Sequence, residues 1–277
     1  YGISDLLSWS LFHVIRYRRR LVFDQLRKCF PDWPDRKIYE VARLSYTNLS
    51  DILLESFKTV RLTEEEIKKR YKVMNSNILK SVEADKGTII GIGSHMNNWE
   101  WGSVALEYQL PTKLYALYKP LANKYIDTHV RTEREAAGGR MVSVRKTRHL
   151  FNSQSIDEKA LVIFIADQSP SNMREAIWLE FLGRDTACLH GPEKYHKIAG
   201  APVVYFHIYR VKRGFYEIYI TPLKSNTDQG ITEQFMKLLE EDIRKEPASW
   251  LWTHNRWKRR REEAEEQRQK LKARRMR

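Results

Sequence analysis

The chain has 277 residues, of which 42% are hydrophobic and 12% aromatic, and its 49 Lys and Arg against 35 Asp and Glu give a formal charge of +14. Such a chain buries a sizeable core, which excludes a disordered or fibrous protein. Two distant cysteines, Cys29 and Cys188, exclude a disulfide framework and show no metal-ligand spacing. The length suits one α/β catalytic domain with helical N-terminal and C-terminal extensions.

No run of 18 apolar residues occurs, so this sequence contains no complete transmembrane helix. The first residue is Tyr1 and not Met; an upstream segment is therefore expected, and no signal peptide is visible. Ile3, Leu6, Leu7, Leu11, Val14 and Ile15 recur at helical spacing, widened by Trp9 and Phe12 and followed by Arg16, Arg18, Arg19 and Arg20. Residues 1–20 thus read as a membrane-associated helix, or equally as one packed on the domain's own core.

From 35 to about 85 the pattern is helical, with Val41, Leu44, Asn48, Leu49, Ile52, Leu53 and Phe57 on one face and Thr63 with Glu66 as a capping box. Alternation begins at Gly87. Strands are predicted over 88–93, 114–118, 141–144 and 160–166, and helices over 98–108, 123–137 and 147–154. This order implies a mostly parallel central sheet flanked by helices on both faces. A polar loop and a helix near 191–199 follow, then a hairpin of 202–211 and 215–222 around Lys212-Arg213-Gly214, then a helix over 231–245. Residues 21–258 form the expected catalytic domain and 259–277 a basic tail. Residues 256–277 alone hold eleven Lys and Arg against four Glu, half the net charge. The tract 258–275 is helix-like and almost without an apolar stripe.

The sharpest feature is Ser94-His95-Met96-Asn97-Asn98-Trp99-Glu100, where a buried strand gives way to a helix. Ligands collect at the carboxyl ends of strands in open α/β sheets. A carboxylate five residues after His95 is placed to fold back, hold the imidazole tautomer and stabilise its protonated form. A first-turn Glu also satisfies the helix dipole whatever the function.

At these residues the chain resembles the lysophospholipid acyltransferase superfamily, and within it the bacterial lipid A biosynthesis acyltransferases, through His95 to Glu100 and three further blocks in the same order. These are Tyr118-Lys119-Pro120 with Asn123, Asp127, Arg131 and Arg134; Asp167-Gln168 with Phe181-Leu182-Gly183 and Ala201-Pro202-Val203; and the run Pro247 to Lys258. The resemblance implies transfer of a fatty acyl group from a thioester of acyl carrier protein or coenzyme A to a hydroxyl of a lipid acceptor. It implies His95 as base and Glu100 as its partner, with Arg131 or Arg134 at the oxyanion, of which Arg134 is preferred. Asn98, Tyr118, Lys119, Arg131, Asp167 and Gln168 become candidate substrate contacts; no metal and no cofactor is called for. The loop 169–174 lacks an expected glycine, and residue 119 is Lys where Arg is frequent, so lipid A precursors, lysophospholipids and aminoacyl lipids all stay open as acceptors. The implied setting is the cytoplasmic face of a bacterial inner membrane, peripheral or anchored by an upstream segment, on an anionic membrane surface. A nucleic-acid partner is the rival that the charge and Trp250, Trp252 and Trp257 keep in view, without a recognised module. A noncatalytic lipid-binding member of the fold is another. His190 and His196 flank a Gly-Pro turn and read as structural.

Overall fold

The computed structural model describes residues 1–59, 62–82, 87–120, 123–135, 138–152, 160–224, 230–266 and 269. Helices α1 (Gly2–Trp9), α2 (Arg19–Cys29), α3 (Asp35–Lys58) and α4 (Glu64–Arg70) lead to β1 (Tyr71–Val73) and α5 (Asn77–Ser81). The alternating part follows as β2 (Thr88–Gly93), α6 (Trp99–Gln109), β3 (Lys113–Tyr118), α7 (Lys124–Glu135), β4 (Arg140–Ser143), α8 (Thr147–Asn152) and β5 (Ala160–Ile165). Then come β6 (Ile177–Phe181), β7 (Arg184–Cys188), α9 (Gly191–Ala199), β8 (Val203–Lys212), β9 (Phe215–Leu223) and α10 (Gly230–Lys245). The expected ends of α7 at 136–137 and of α8 at 153–154 lie outside the described residues.

Seven strands form one sheet in the order β1-β9-β8-β2-β5-β3-β4, parallel throughout except for the β8/β9 hairpin. β2 is buried along its whole length, as an apolar strand with both faces covered must be. Successive side chains divide between two cores. Ile90 and Ile92 join α2, α3, α10, Trp250 and Trp252; Ile89, Leu161 and Ile163 join α4 and α6. Gly91 is required at the crossing, because a Cβ there would lie 2.4 Å from Ile163 Cδ1 and 2.6 Å from Phe206 Cε2.

Two elements were not foreseen. β1 adds only three residues beside β9, and β6 pairs antiparallel with β7 in a separate ribbon. The turn of that ribbon places Leu182 at φ 52 and Gly183 at φ 70. Leu, unlike Asn or Asp, gives no turn signal there.

α1 packs inside out. Its serines face the protein: Ser4 Oγ donates to Asp51 Oδ1 at 2.5 Å, and Ser8 Oγ lies 3.2 Å from Thr47 Oγ1. Ile3 is 75% exposed, and Leu6, Trp9, Val14 and Ile15 are each more than half exposed. Phe12 is fully buried in the core, within a π-helical turn at Ser10–Val14, and Leu11 packs partly against the same cluster. The segment lies on the domain, as the second reading expected, and turns most of its apolar stripe outward. α3 corrects its expected face in the same sense. Val41, Asn48 and Ile52 are buried, but Leu44, Leu53 and Phe57 are exposed, the last at 80%, while Ser45, Asp51 and Glu55 point inward.

Two carboxylates on the inward polar face of α3 are fully engaged, whereas the buried Ser50 hydroxyl beside them has no partner among the described residues. Asp51 accepts from Arg210 Nη2 at 2.5 Å, Arg213 Nε at 2.8 Å and Arg213 Nη2 at 2.7 Å; Glu55 accepts from Tyr1, Asn98 and Tyr216. The capping box of α4 forms through Thr63 and Glu66. Beyond α10 the chain crosses back under the sheet end, with Met96 bridged to Trp250. Trp250 and Trp252 are buried and pack this segment down, so they present no stacking face. Residues 261–266 are helical and seat Ala264 on Met173, Ala176 and Ala187. Residues 267–268 and 270–277, where the expected helix would continue, lie outside the described residues.

Burial alone would raise the Asp51 carboxyl, but hydrogen bonds from Arg213, Ser4 and Arg210 hold it below the usual range. Asp51→Ala is expected to lower stability by about 3 kcal/mol in denaturant titration, because two cations lose a buried partner. The contribution of Asp51 is complete above the ordinary value near pH ~3.9 and disappears as pH falls through its lower folded value.

Candidate active site

β2 and β5 are neighbours at the middle of the sheet, and both stop at the same edge. The chain leaving β2 is clamped on either side of His95. Asn97, at φ 49, donates Nδ2 to Ile208 O at 2.8 Å, and Asn98 Oδ1 accepts from Trp101 N at 2.9 Å to cap α6. Asp167 comes two residues after β5. Its Oδ1 lies 2.7 Å from His95 Nδ1, while its Oδ2 accepts from His95 N at 3.1 Å and Trp250 Nε1 at 2.8 Å.

Burial alone would raise the Asp167 carboxyl; the charge and hydrogen bond of His95, the Trp250 indole and the His95 amide overcome it and hold the group at about 2. An ionised carboxylate only accepts, so Nδ1 of His95 carries the proton and Nε2 holds the lone pair. Gln168 Nε2 lies 3.1 Å from His95 Nε2 and donates to it. The His95 side chain is 18% exposed, enough to meet a ligand, whereas that of Asp167 is 2% exposed. The Trp99 ring stands edge-on to the imidazole at 4.9 Å. The arrangement is an imidazole whose tautomer is fixed by a carboxylate behind it.

Glu100 has a different partner from the one expected. Its Oε1 accepts from Arg134 Nη2 at 2.6 Å and from Trp99 Nε1 at 3.1 Å. The first turn of α6 directs the Glu100 carboxylate toward α7, and the place behind the imidazole is filled by Asp167. Glu100 therefore anchors a cation beside His95 instead of orienting the ring.

His95, Glu100, Tyr118, Lys119, Arg134 and Gln168 all line one cleft of about 660 Å³. Arg131 is exposed and lies 3.6 Å from Glu135, away from the cleft. Asn98 is buried with both ends of its amide engaged, Nδ2 on Glu55 at 2.7 Å, and does not reach the cleft either. Tyr118 donates to Asp127 at 3.2 Å. Sequence reasoning gave Arg259 only as part of the basic tail, and named His254 and Lys258 in the C-terminal run without a role; all three line the cleft. Their signal was the Trp-rich C-terminal run, whose return to the sheet edge only the fold reveals. A second, apolar hollow of about 260 Å³ between α3 and α6 contains Leu49, Ile52, Leu53, Phe57, Trp99 and Val104, and shares Glu100 and Arg134 with the cleft. His190 is paired with Glu175 at 2.5 Å and His196 lies 2.8 Å from Ala201 O.

Comparison with known proteins agrees with this architecture. Residues 1–259 match the family described as bacterial lipid A biosynthesis acyltransferase. The chain is 21% identical over 248 residues to the lipid A biosynthesis palmitoleoyltransferase of Escherichia coli (strain K12), covering 88% of this chain and 80% of that protein. It is 22% identical over 264 residues to the lipid A biosynthesis lauroyltransferase of the same strain (93% and 85% covered), and 22% identical over 270 residues to the lipid A biosynthesis acyltransferase of Haemophilus influenzae (94% and 85%). A histidine at the carboxyl edge of a mostly parallel α/β sheet is where ligands gather in this class of fold. The chain belongs to the bacterial lipid A biosynthesis acyltransferase family, and is an acyltransferase.

Burial pushes the His254 imidazole down to about 4, and its Nε2 accepts from Ser169 N at 3.3 Å. An unfolded histidine takes up its proton near pH ~6.5. Between these values only the unfolded chain gains the proton, so stability should decline as pH falls from about 6.5 to about 4. Replacing His254 with Gln should flatten that part of the melting-temperature profile.

Proposed function

We propose that the protein moves a fatty acyl group from an acyl carrier protein or coenzyme A thioester to a hydroxyl of a lipid A precursor or a related membrane lipid, with His95 as general base. The observation that carries this reading is the His95–Asp167 pair at 2.7 Å, facing a cleft that also holds the Arg134–Glu100 pair. The acceptor hydroxyl takes the place of the Gln168 amide at His95 Nε2 and gives up its proton there as its oxygen attacks the thioester carbonyl. Asp167 stays ionised and stabilises the imidazolium. Arg134, steadied by Glu100, faces the oxyanion. Collapse of the tetrahedral species breaks the C–S bond, and His95 returns the proton to the departing thiolate.

Lys119, Lys258 and Arg259 suit a donor that carries phosphate or an acidic protein surface. The α3/α6 hollow, sharing Arg134 with the cleft, suits the acyl chain attached to the carbonyl that Arg134 would face. The outward stripe of α1 suits the interface of a bilayer, consistent with the cytoplasmic face of an inner membrane. No helix among the described residues is long and apolar enough to cross one.

His95→Ala should reduce transfer by about 10²- to 10⁴-fold, read by mass spectrometry of products from a defined thioester and acceptor, and should lower the melting temperature because buried Asp167 loses a partner. Asp167→Asn should fall nearly as far. Glu100→Gln should fall less and alter Arg134-dependent steps first; if it matches His95→Ala while Asp167→Asn stays active, Glu100 and not Asp167 is the partner of the base. Full turnover by a folded His95→Ala protein would remove the base altogether.

The α1 stripe is tested separately. Leu6→Ser with Trp9→Ser should weaken flotation with neutral phosphatidylcholine vesicles and leave melting unchanged, because both side chains already face solvent. Unaltered flotation would place the membrane contact elsewhere.

A further inference from the structure

Beside the outward face of α1 lies a hollow of about 610 Å³ lined by Arg16, Arg19, Arg20, Phe23, Asp24 and Arg27. Two of its charges are already matched: Arg27 pairs with Asp35 at 3.0 Å, and Asp24 with Lys28 at 3.0 Å. Among the described residues no carboxylate pairs with Arg16, Arg19 or Arg20. These three stand just before and within the first turn of α2, which holds no acidic residue. The positive end of the helix dipole raises the energy of cations gathered there.

The hollow is also partly set in advance. The Arg19 guanidinium lies 4.5 Å from the centroid of Phe12 and 5.6 Å from that of Phe23, and Arg16 Nε donates to His13 O at 3.4 Å. Arg16 follows directly on Val14 and Ile15, both more than half exposed, so the cationic hollow continues the apolar face. A protein resting on a bilayer with such side chains among the acyl chains would hold these guanidinium groups at the level of the phosphates, whose paired oxygens match the guanidinium fork.

We propose that Arg16, Arg19 and Arg20 form a binding site for the phosphate of an anionic membrane lipid, separate from the catalytic cleft, which makes attachment selective for anionic bilayers. The proposal rests on the membrane-surface reading of α1 and adds to it a defined headgroup site. A basic tail acting alone would instead make selectivity depend on residues 256–277.

The test is flotation of the full chain with vesicles of phosphatidylcholine alone and of phosphatidylcholine containing phosphatidylglycerol. It compares the wild type, Arg16→Gln/Arg19→Gln/Arg20→Gln, the double variant Arg16→Gln/Arg20→Gln, and a control with Lys68→Gln/Lys69→Gln/Lys72→Gln, which removes the same charge from α4 and β1. The triple variant should keep its binding to neutral vesicles and lose the anionic preference, on the order of 100-fold for three charges. The control should keep most of that preference. The double variant, which retains the Arg19 ring contacts, should lose an intermediate share, and unchanged melting temperatures would exclude misfolding as the cause. Wild-type protein that binds neither vesicle overturns the membrane reading itself. Wild-type binding without an anionic preference overturns the headgroup site alone, as does a preference that survives in the triple variant or falls equally in the control. Inorganic phosphate that abolishes the preference at constant ionic strength would identify a free anion as the occupant and overturn the lipid assignment.

Discussion

The buried carboxylate of Asp167 is the constraint on which the rest of the site depends. It accepts from the imidazole and the backbone amide of His95 and from the indole of Trp250, so three separate stretches of chain meet on two oxygens. An ionised group so far from water persists only with its acceptor positions filled. The end of β2, the end of β5 and the segment after α10 are therefore fixed relative to one another by a single charge. The position of the imidazole follows from that, and so does the direction of Nε2, which meets the Gln168 amide at the cleft.

Charge is distributed around the cleft by the same logic. One acid lies behind the base and a second beside it, each assigned to a different cation-forming group, so the two carboxylates do not compete for one proton. Arg134 is half-shielded and held at its far end, while Lys119, Lys258 and Arg259 line the rest of the rim. The cleft is thus basic along its rim and, among the described residues, carries carboxylates only behind the imidazole and beside Arg134.

The alternating core of the fold was legible because its signals are local. The buried strands at 88–93 and 160–166, the hairpin around Gly214 and the capping box at Thr63 each depend on neighbours a few residues away. His95, Arg134, Asp167 and Gln168 were legible as a group through order along the chain. Which carboxylate meets the imidazole was not, because spacing in sequence favours Glu100 and contact across two parallel strands favours Asp167. The polar inward face of α3 escaped for a related reason. Apolar periodicity marks a buried side only when the core is apolar, and here Asp51 and Glu55 are satisfied by Arg210, Arg213 and Tyr216 from a distant hairpin. The turn at Leu182 and the three-residue β1 carry too little pattern to read.

The bridge between Met96 and Trp250 has a kinetic consequence. The imidazole comes from the end of β2, its carboxylate from a point 72 residues later, and the indole that completes the carboxylate's shell from 83 residues beyond that. Contacts of such sequence separation form late, after much of the local structure. During synthesis, when the amino-terminal part folds first, a nascent chain can build the sheet as far as β5 while the indole is still inside the ribosome. The pair at the sheet edge is then open to water and its carboxylate incompletely bonded. The shell of the carboxylate is therefore completed only when the segment after α10 has folded back onto the sheet edge.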